Sequence, residues 1–200
     1  MKKMITLGAA FALLALSCGE EEGVTPREPD RLAPTSPAHV LKNVELAFNN
    51  RDVDLLKAML STTFVFHFDP DDVGQNPPGK PYKIPESWSY TEFWKAVDNM
   101  FTEAHSISLS IPTDQVGTPG ENETKFRADN ISINLLVMVD ELNGYLADQG
   151  FCNFAFESYT SEAGKKCWRL TKWWDRTAIP ADGRIGFMPT SVGKILSLFR

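Results

Sequence analysis

The sequence predicts an α+β domain, with helices gathered on one side of a largely antiparallel sheet. Three observations predict it. Apolar residues recur at helical spacing between Pro37 and Leu60, which marks amphipathic helices. From about His105 the apolar period changes to two, the period of a half-buried strand. The elements then run helix, helix, strand, long loop, helix and four strands, with no internal repeat.

The first residues carry a different signal. Met1-Lys2-Lys3 is a short basic start, followed by an apolar stretch from Met4 to Leu16 and then Ser17-Cys18. The apolar run is too short for a stable bilayer anchor, and a small residue precedes the cysteine, so residues 1–17 read as a signal peptide. Past it no second long apolar run follows. Removing residues 1–17 takes away Lys2 and Lys3 and no acid, so the formal net charge of −6 becomes −8. An acidic chain of this kind is not built for nucleic acid or for anionic lipid headgroups. Residues 18–35 are dominated by proline, glycine and charge, including Glu20-Glu21-Glu22, and read as a linker with little to bury.

The body, residues 36–178, begins where Ser36-Pro37 supplies an N-cap and a proline at the first helical position. Val40, Leu41, Val44, Ala47 and Phe48 form one apolar face. Asn49-Asn50-Arg51 breaks the pattern, and Asp52 caps a shorter helix with a stripe of Val53, Leu56, Met59 and Leu60. Phe64-Val65-Phe66-His67-Phe68 alternates in part and is rich in strand formers. Residues 69–87 then hold five prolines and two glycines, a long loop of the sort that often carries function. Ser89-Tyr90-Thr91-Glu92 is a capping box that opens a third helix with Phe93, Val97, Met100 and Phe101 inward.

Ser106 to Ile111 alternates cleanly as a strand, and Pro112 to Glu123 is turn chemistry. Lys125 to Asp140 is a long strand, with a turn at Asn143-Gly144. Residues 151–159 and 166–176 are two further strands around a Ser161-Glu162-Ala163-Gly164 hairpin. Residues 179–200 form a C-terminal extension, in which Thr190 to Arg200 reads as a short capped helix with an apolar stripe.

Cys152 and Cys167 are the only cysteines besides Cys18. Cys152 shares strand parity with Phe154 and Phe156, whereas Cys167 lies opposite in parity to Trp168 and Leu170. If both aromatic faces point inward, the thiols sit on opposite sides of the sheet. They are expected to stay free unless a bulge near Gly150 or Gly164 shifts one strand.

His67 and Asp69 share one face of their strand, opposite Phe64, Phe66 and Phe68. If the phenylalanines face the core, the pair faces away from it; as base and orienting group they would need a strand buried on both sides. His67, Asp69, Asp71 and Asp72 match no zinc or calcium spacing, and no metal or cofactor is expected. Trp88, Tyr90, Trp94, Trp173 and Trp174 belong to an aromatic concentration that is either core or a ligand- and partner-binding surface. Because Trp173 and Trp174 are adjacent, they point to opposite faces, and one of them must leave the core.

Leu14-Ala15-Leu16-Ser17-Cys18 resembles the lipobox of bacterial lipoproteins. That resemblance implies a diacylglycerol on the Cys18 sulfur, cleavage after Ser17 and acylation of the new amine. A protein so modified sits in the cell envelope, held on a membrane by several acyl chains. The alternative is an ordinary secretory peptide.

Three stretches resemble the nuclear transport factor 2-like superfamily, which includes ketosteroid isomerases, scytalone dehydratases and polyketide cyclases. They are Val44 to Leu56, Phe68-Asp69-Pro70, and Lys166 to Trp174. The resemblance implies a curved, mainly antiparallel sheet of about five strands wrapped over three helices as a cone, with an apolar pocket beneath. It also implies dimerisation through the open sheet face, as members often show. In ketosteroid isomerases an aspartate before proline is the proton-moving base, and Asp69-Pro70 matches that place. The family's oxyanion donors have no match here: Val44 stands at the tyrosine position, and Phe151 to Glu157 offer no second aspartate. A non-catalytic domain that binds a small apolar ligand or a protein is therefore expected first. An isomerase or dehydratase using Asp69 with His67, and a structural dimerising subunit, are the alternatives.

Overall fold

The computed structural model of the protein describes residues 31–176 and 187–200. The signal segment, Cys18, most of the linker and the 178/179 boundary lie outside the described residues. Residues 31–35, expected in the linker, are instead part of the domain. Arg31 pairs with Asp52 at 2.6 Å, Asn43 exchanges hydrogen bonds with the Leu32 backbone, and the Pro34 carbonyl accepts the Trp168 N–H.

Helix α1 spans Pro37–Asn50. The Ser36 hydroxyl accepts the His39 N–H at its start, and Arg51, in the left-handed region at φ 55°, closes its end. Helix α2, Val53–Met59, starts where the Asp52 carboxylate accepts the Leu55 N–H. Strand β1, Leu60–His67, follows without a loop. A short strand β2, Ser87–Ser89, leads into helix α3, Tyr90–Glu103, through the expected capping box of Ser89 and Glu92. The second half holds β3, Ser106–Ser110; β4, Lys125–Met138; β5, Gly144–Thr160; and β6, Lys166–Arg176. Strand β7, Phe187–Pro189, and helix α4, Val192–Ser197, complete the chain.

The strands form one sheet in the order β2-β1-β6-β5-β4-β3, with β7 beside the start of β5. Among the described residues seven strands are present where about five were expected. The two extra ones, β2 and β7, are three residues long, too short for a periodic signal. The sheet is mixed, because β1 runs parallel to β6 and β7 parallel to β5. Strand β5 also starts seven residues before the expected position, since Gly144 to Gly150 lacks a clean alternation but still pairs with β4.

Bulges bend this sheet. Register shifts fall between Ala128 and Ile131, and between Ile133 and Leu135, on the β4–β5 seam. Asn130 takes φ 57° at the first of them. A third shift lies on the β5–β6 seam, where Phe156 neighbours Leu170 but Ala155 neighbours Lys172, so Thr171 is the extra residue. Above it Trp168 and Leu170 face inward; below it the parity flips, and Trp173 and Asp175 face inward instead.

The helices lie against the concave side of the sheet, and the core between them is aromatic. Phe48, Phe64, Phe66, Phe93, Phe154, Trp88 and Trp173 are each at most 1% exposed. Phe66 is central, with its ring 5.1 Å from Phe68, 5.5 Å from Phe93 and 5.6 Å from Trp173. Burying each such side chain contributes about 1.5–3 kcal/mol. Among the described residues no helix is long and apolar enough to cross a membrane.

Candidate functional site

Three places could carry function: the interior of the cone, the turn at Asp69, and the outer face of the sheet. The interior is occupied by the protein's own side chains. Trp88 and Trp173, expected as candidate binding residues, are core. Tyr90 packs against the same core half-buried. Trp94 is half-buried on the helix surface, with the Lys57 ammonium 3.9 Å from its ring centroid.

Asp69 sits just past β1, half-buried. Its Oδ1 accepts the Asp71 N–H at 2.9 Å, so the carboxylate is engaged in fixing its own turn. Burial raises its pKa, with the neighbouring Asp72 and Asp71 charges adding to the rise against the Asp71 N–H, which lowers it. His67 does not join it in a closed pocket. Phe64 and Phe66 of β1, and Phe68 just past it, point inward and His67 points out, onto the opposite face. Burial holds the His67 pKa below its ordinary value, and the Lys172 and Arg176 charges push the same way. Among the described residues no group of three or more His, Cys, Asp or Glu is placed to hold a metal ion.

The outer face centres on Trp174. Its ring is stacked with His67, centroids 5.3 Å apart and planes 10° from parallel. The Arg127 guanidinium lies 4.8 Å from the Trp174 centroid and the Lys172 ammonium 5.6 Å. Beside this cluster runs an open groove of about 610 Å³, lined by Thr63, Lys125, Arg127, Glu157 and Lys172, with Trp174 at its end. A second groove of about 420 Å³ lies across Trp174, between His67, Glu86 and Arg176. Further along the same face Phe151 is 46% exposed. Lysine and arginine therefore concentrate here, on a chain of net charge −6. Glu157 is held by the Ser61 hydroxyl at 2.7 Å, and Arg127 also pairs with Asp129 at 2.6 Å.

Strand parity placed one of the two adjacent tryptophans on this face. Arg127 and Lys172 escaped attention, because strand charges ordinarily mean only a solvated face. The cluster around α4 was also missed. Asp175, on the inward side of β6, is fully buried and accepts the Gly193 N–H at 2.6 Å. Asp72 is buried as well; it accepts the Ser191 hydroxyl and pairs with Lys194 at 2.7 Å. The signal for Asp175 was a charge in step with Trp173, which only the Thr171 bulge makes legible. Cys152 and Cys167 are both free and buried. Burial, with Asp175 nearby, raises the Cys152 pKa well above a thiol's ordinary value.

No protein-family model matches the chain, and no curated protein does. Among solved structures, a nuclear transport factor 2-like superfamily protein from Salmonella enterica is similar at 10% identity and TM-score 0.47, covering 74% of this chain and 92% of its own. A nuclear transport factor 2-like protein of unknown function from Pseudomonas putida aligns at 10% identity and TM-score 0.45, over 77% and 90%. A proposed scytalone dehydratase from Novosphingobium aromaticivorans aligns at 10% identity and TM-score 0.48, over 73% and 84%. With helices under a curved, open, mixed sheet, the described residues form an α+β domain.

Proposed function

We propose that this protein is an envelope lipoprotein whose cone-fold domain is non-catalytic and engages a protein partner through the outer face of its sheet. The observation that carries the reading is a contrast between the two sides of the sheet. The concave side is filled with phenylalanine and tryptophan, while the convex side presents a half-buried tryptophan flanked by cations and two open grooves. Partly exposed tryptophan and arginine are the residue types that anchor interfaces. The surrounding positive charge favours an acidic partner and speeds encounter. Asp69 is engaged in its turn, and the sequence offers no match to the superfamily's oxyanion donors, so the isomerase reading has little support. The lipobox supports tethering through Cys18, which would hold this face close to other envelope proteins.

A photo-crosslinking residue at Ala155, in the floor of the groove, tests the interface in intact cells. A discrete adduct that disappears with Trp174→Ala or Arg127→Glu is expected. No adduct, or an adduct insensitive to both substitutions, overturns the reading. An adduct twice the chain's own mass would identify a second copy as the partner. Separately, Cys18→Ser should release the protein from the membrane fraction, and retention would overturn the tether.

A further inference from the structure

The outer groove carries its cations in a two-plus-one arrangement. Arg127 of β4 and Lys172 of β6 both neighbour Ala155 on β5, so they face each other across two strand spacings, about 10 Å. Lys125 lies on the same rim as Arg127, two residues away, about 7 Å further along. Ala155 leaves the floor between the rims open, and the groove there holds about 610 Å³. Among the described residues neither Lys125 nor Lys172 takes part in an ion pair, and Arg127 has only Asp129. The one carboxylate lining the groove, Glu157, is turned toward the Ser61 hydroxyl.

The chain itself holds a segment of matching charge and spacing. Glu20-Glu21-Glu22, outside the described residues, sets three consecutive carboxylates between Gly19 and Gly23. In an extended chain adjacent side chains point to opposite sides and alternate ones lie about 7 Å apart. Laid along the groove, Glu20 and Glu22 meet Arg127 and Lys125 on one rim, and Glu21 meets Lys172 on the other. The reach suffices. The chain enters the domain beside β6, where the Pro34 carbonyl accepts the Trp168 N–H at 2.7 Å. Lys172 is four residues further along that strand, about 13 Å. Arg31 precedes Pro34 by three residues, at most about 10 Å. Glu22 lies nine positions before Arg31, a stretch that spans up to about 30 Å.

We propose that Glu20-Glu21-Glu22 seats in the outer groove and occupies it in cis until a partner displaces it. The proposal rests on the reading of that groove as an acceptor of acidic segments. A tether this short presents the segment at an effective concentration on the order of millimolar, so an acidic partner has to outcompete it. The seat also sets how far the domain stands from its anchor. With Glu20 in the groove the domain is held two residues from Cys18, and with the groove vacated it is held thirteen residues away, at Arg31. Partner engagement thereby lets the domain move up to about 35 Å further from Cys18.

The test uses the full mature chain, one copy per lipid nanodisc, and a carbodiimide that joins a carboxylate directly to a lysine amine. Crosslinks are mapped by peptide mass spectrometry. Glu20 to Glu22 are expected to join Lys125 and Lys172 at least fivefold more often than Lys57, an exposed lysine on the helix that Asp52 caps. Arg127→Gln, which leaves every lysine in place, should cut the groove crosslinks at least threefold. Even crosslinking of Lys57, Lys125 and Lys172, or a yield unmoved by Arg127→Gln, overturns the seat. Competition is read with a fluorescein-labelled peptide copying residues 19–26. It should bind the Glu20→Gln/Glu21→Gln/Glu22→Gln variant at least threefold more tightly than the parent. Equal affinity, or binding to neither, overturns occupancy in cis. Crosslinking within the chain needs no partner, whereas the adduct at Ala155 in cells does, so each reading can fail while the other stands.

Discussion

His67 and Trp174 lie face to face on the convex side of the sheet, one on β1 and one on β6, at neighbouring positions of the parallel pairing. The stack half-buries an imidazole beside Lys172 and Arg176, and all three influences favour its neutral form. The folded-state pKa of His67 therefore lies below the ordinary 6.5. Folding disfavours the imidazolium, so this residue costs no stability above the unfolded-chain value. The penalty grows as pH falls through that value toward the folded one. An NMR titration should place the His67 midpoint below the ordinary 6.5, and Trp174→Ala should move it upward. A midpoint unmoved by the substitution would mean the stack has no influence on the ring.

Arg51 ends α1 with a left-handed backbone, yet it is not glycine. Its guanidinium donates to the Phe101 carbonyl at 3.1 Å and the His105 carbonyl at 2.8 Å, tying α1 to the end of α3. Arg51→Ala loses both bonds and keeps the backbone strain. Arg51→Gly loses the same bonds but relieves the strain, worth about 1 kcal/mol. Urea unfolding should rank the parent above Arg51→Gly, and Arg51→Gly above Arg51→Ala.

Gly193→Ala forces a methyl group against Phe68. A core that cannot yield loses about 1–3 kcal/mol to such overpacking. The loss should appear as a lower urea midpoint with an unchanged slope, because the contact is local. A neutral result would show that α4 shifts freely on Phe68.

Both thiols are buried, and Cys152 is held protonated by its surroundings. A thiol-reactive dye should label neither at an appreciable rate in the folded protein at neutral pH, and both on unfolding. Of the two, Cys152 should react more slowly in the native state. Rapid native labelling of Cys152 would place its strand in a different register.

Much of the architecture was legible before any coordinates. Helix α1 was readable from Ser36-Pro37 and its apolar face, and α3 from its capping box. The Phe64-Phe66-Phe68 stripe correctly sent His67 outward. The short strands β2 and β7 were not legible, because three residues carry no period. The inward turn of Asp175 was hidden for another reason. Strand parity propagates only until a bulge, and the extra residue at Thr171 resets it without any glycine to mark the place. Helix α4 was visible as a helix, but its burial depended on partners from Phe68, Asp72 and Asn99, far away in sequence.

The parallel seam between β1 and β6 joins Leu60 to Leu170 and His67 to Trp174, residues more than a hundred positions apart. Closing such a distant pairing slows folding, since a long stretch must be ordered before the contact repays it. The amino-terminal half cannot complete its sheet while the carboxyl-terminal half is still being made. Its sheet can lock only after the last strands have been made.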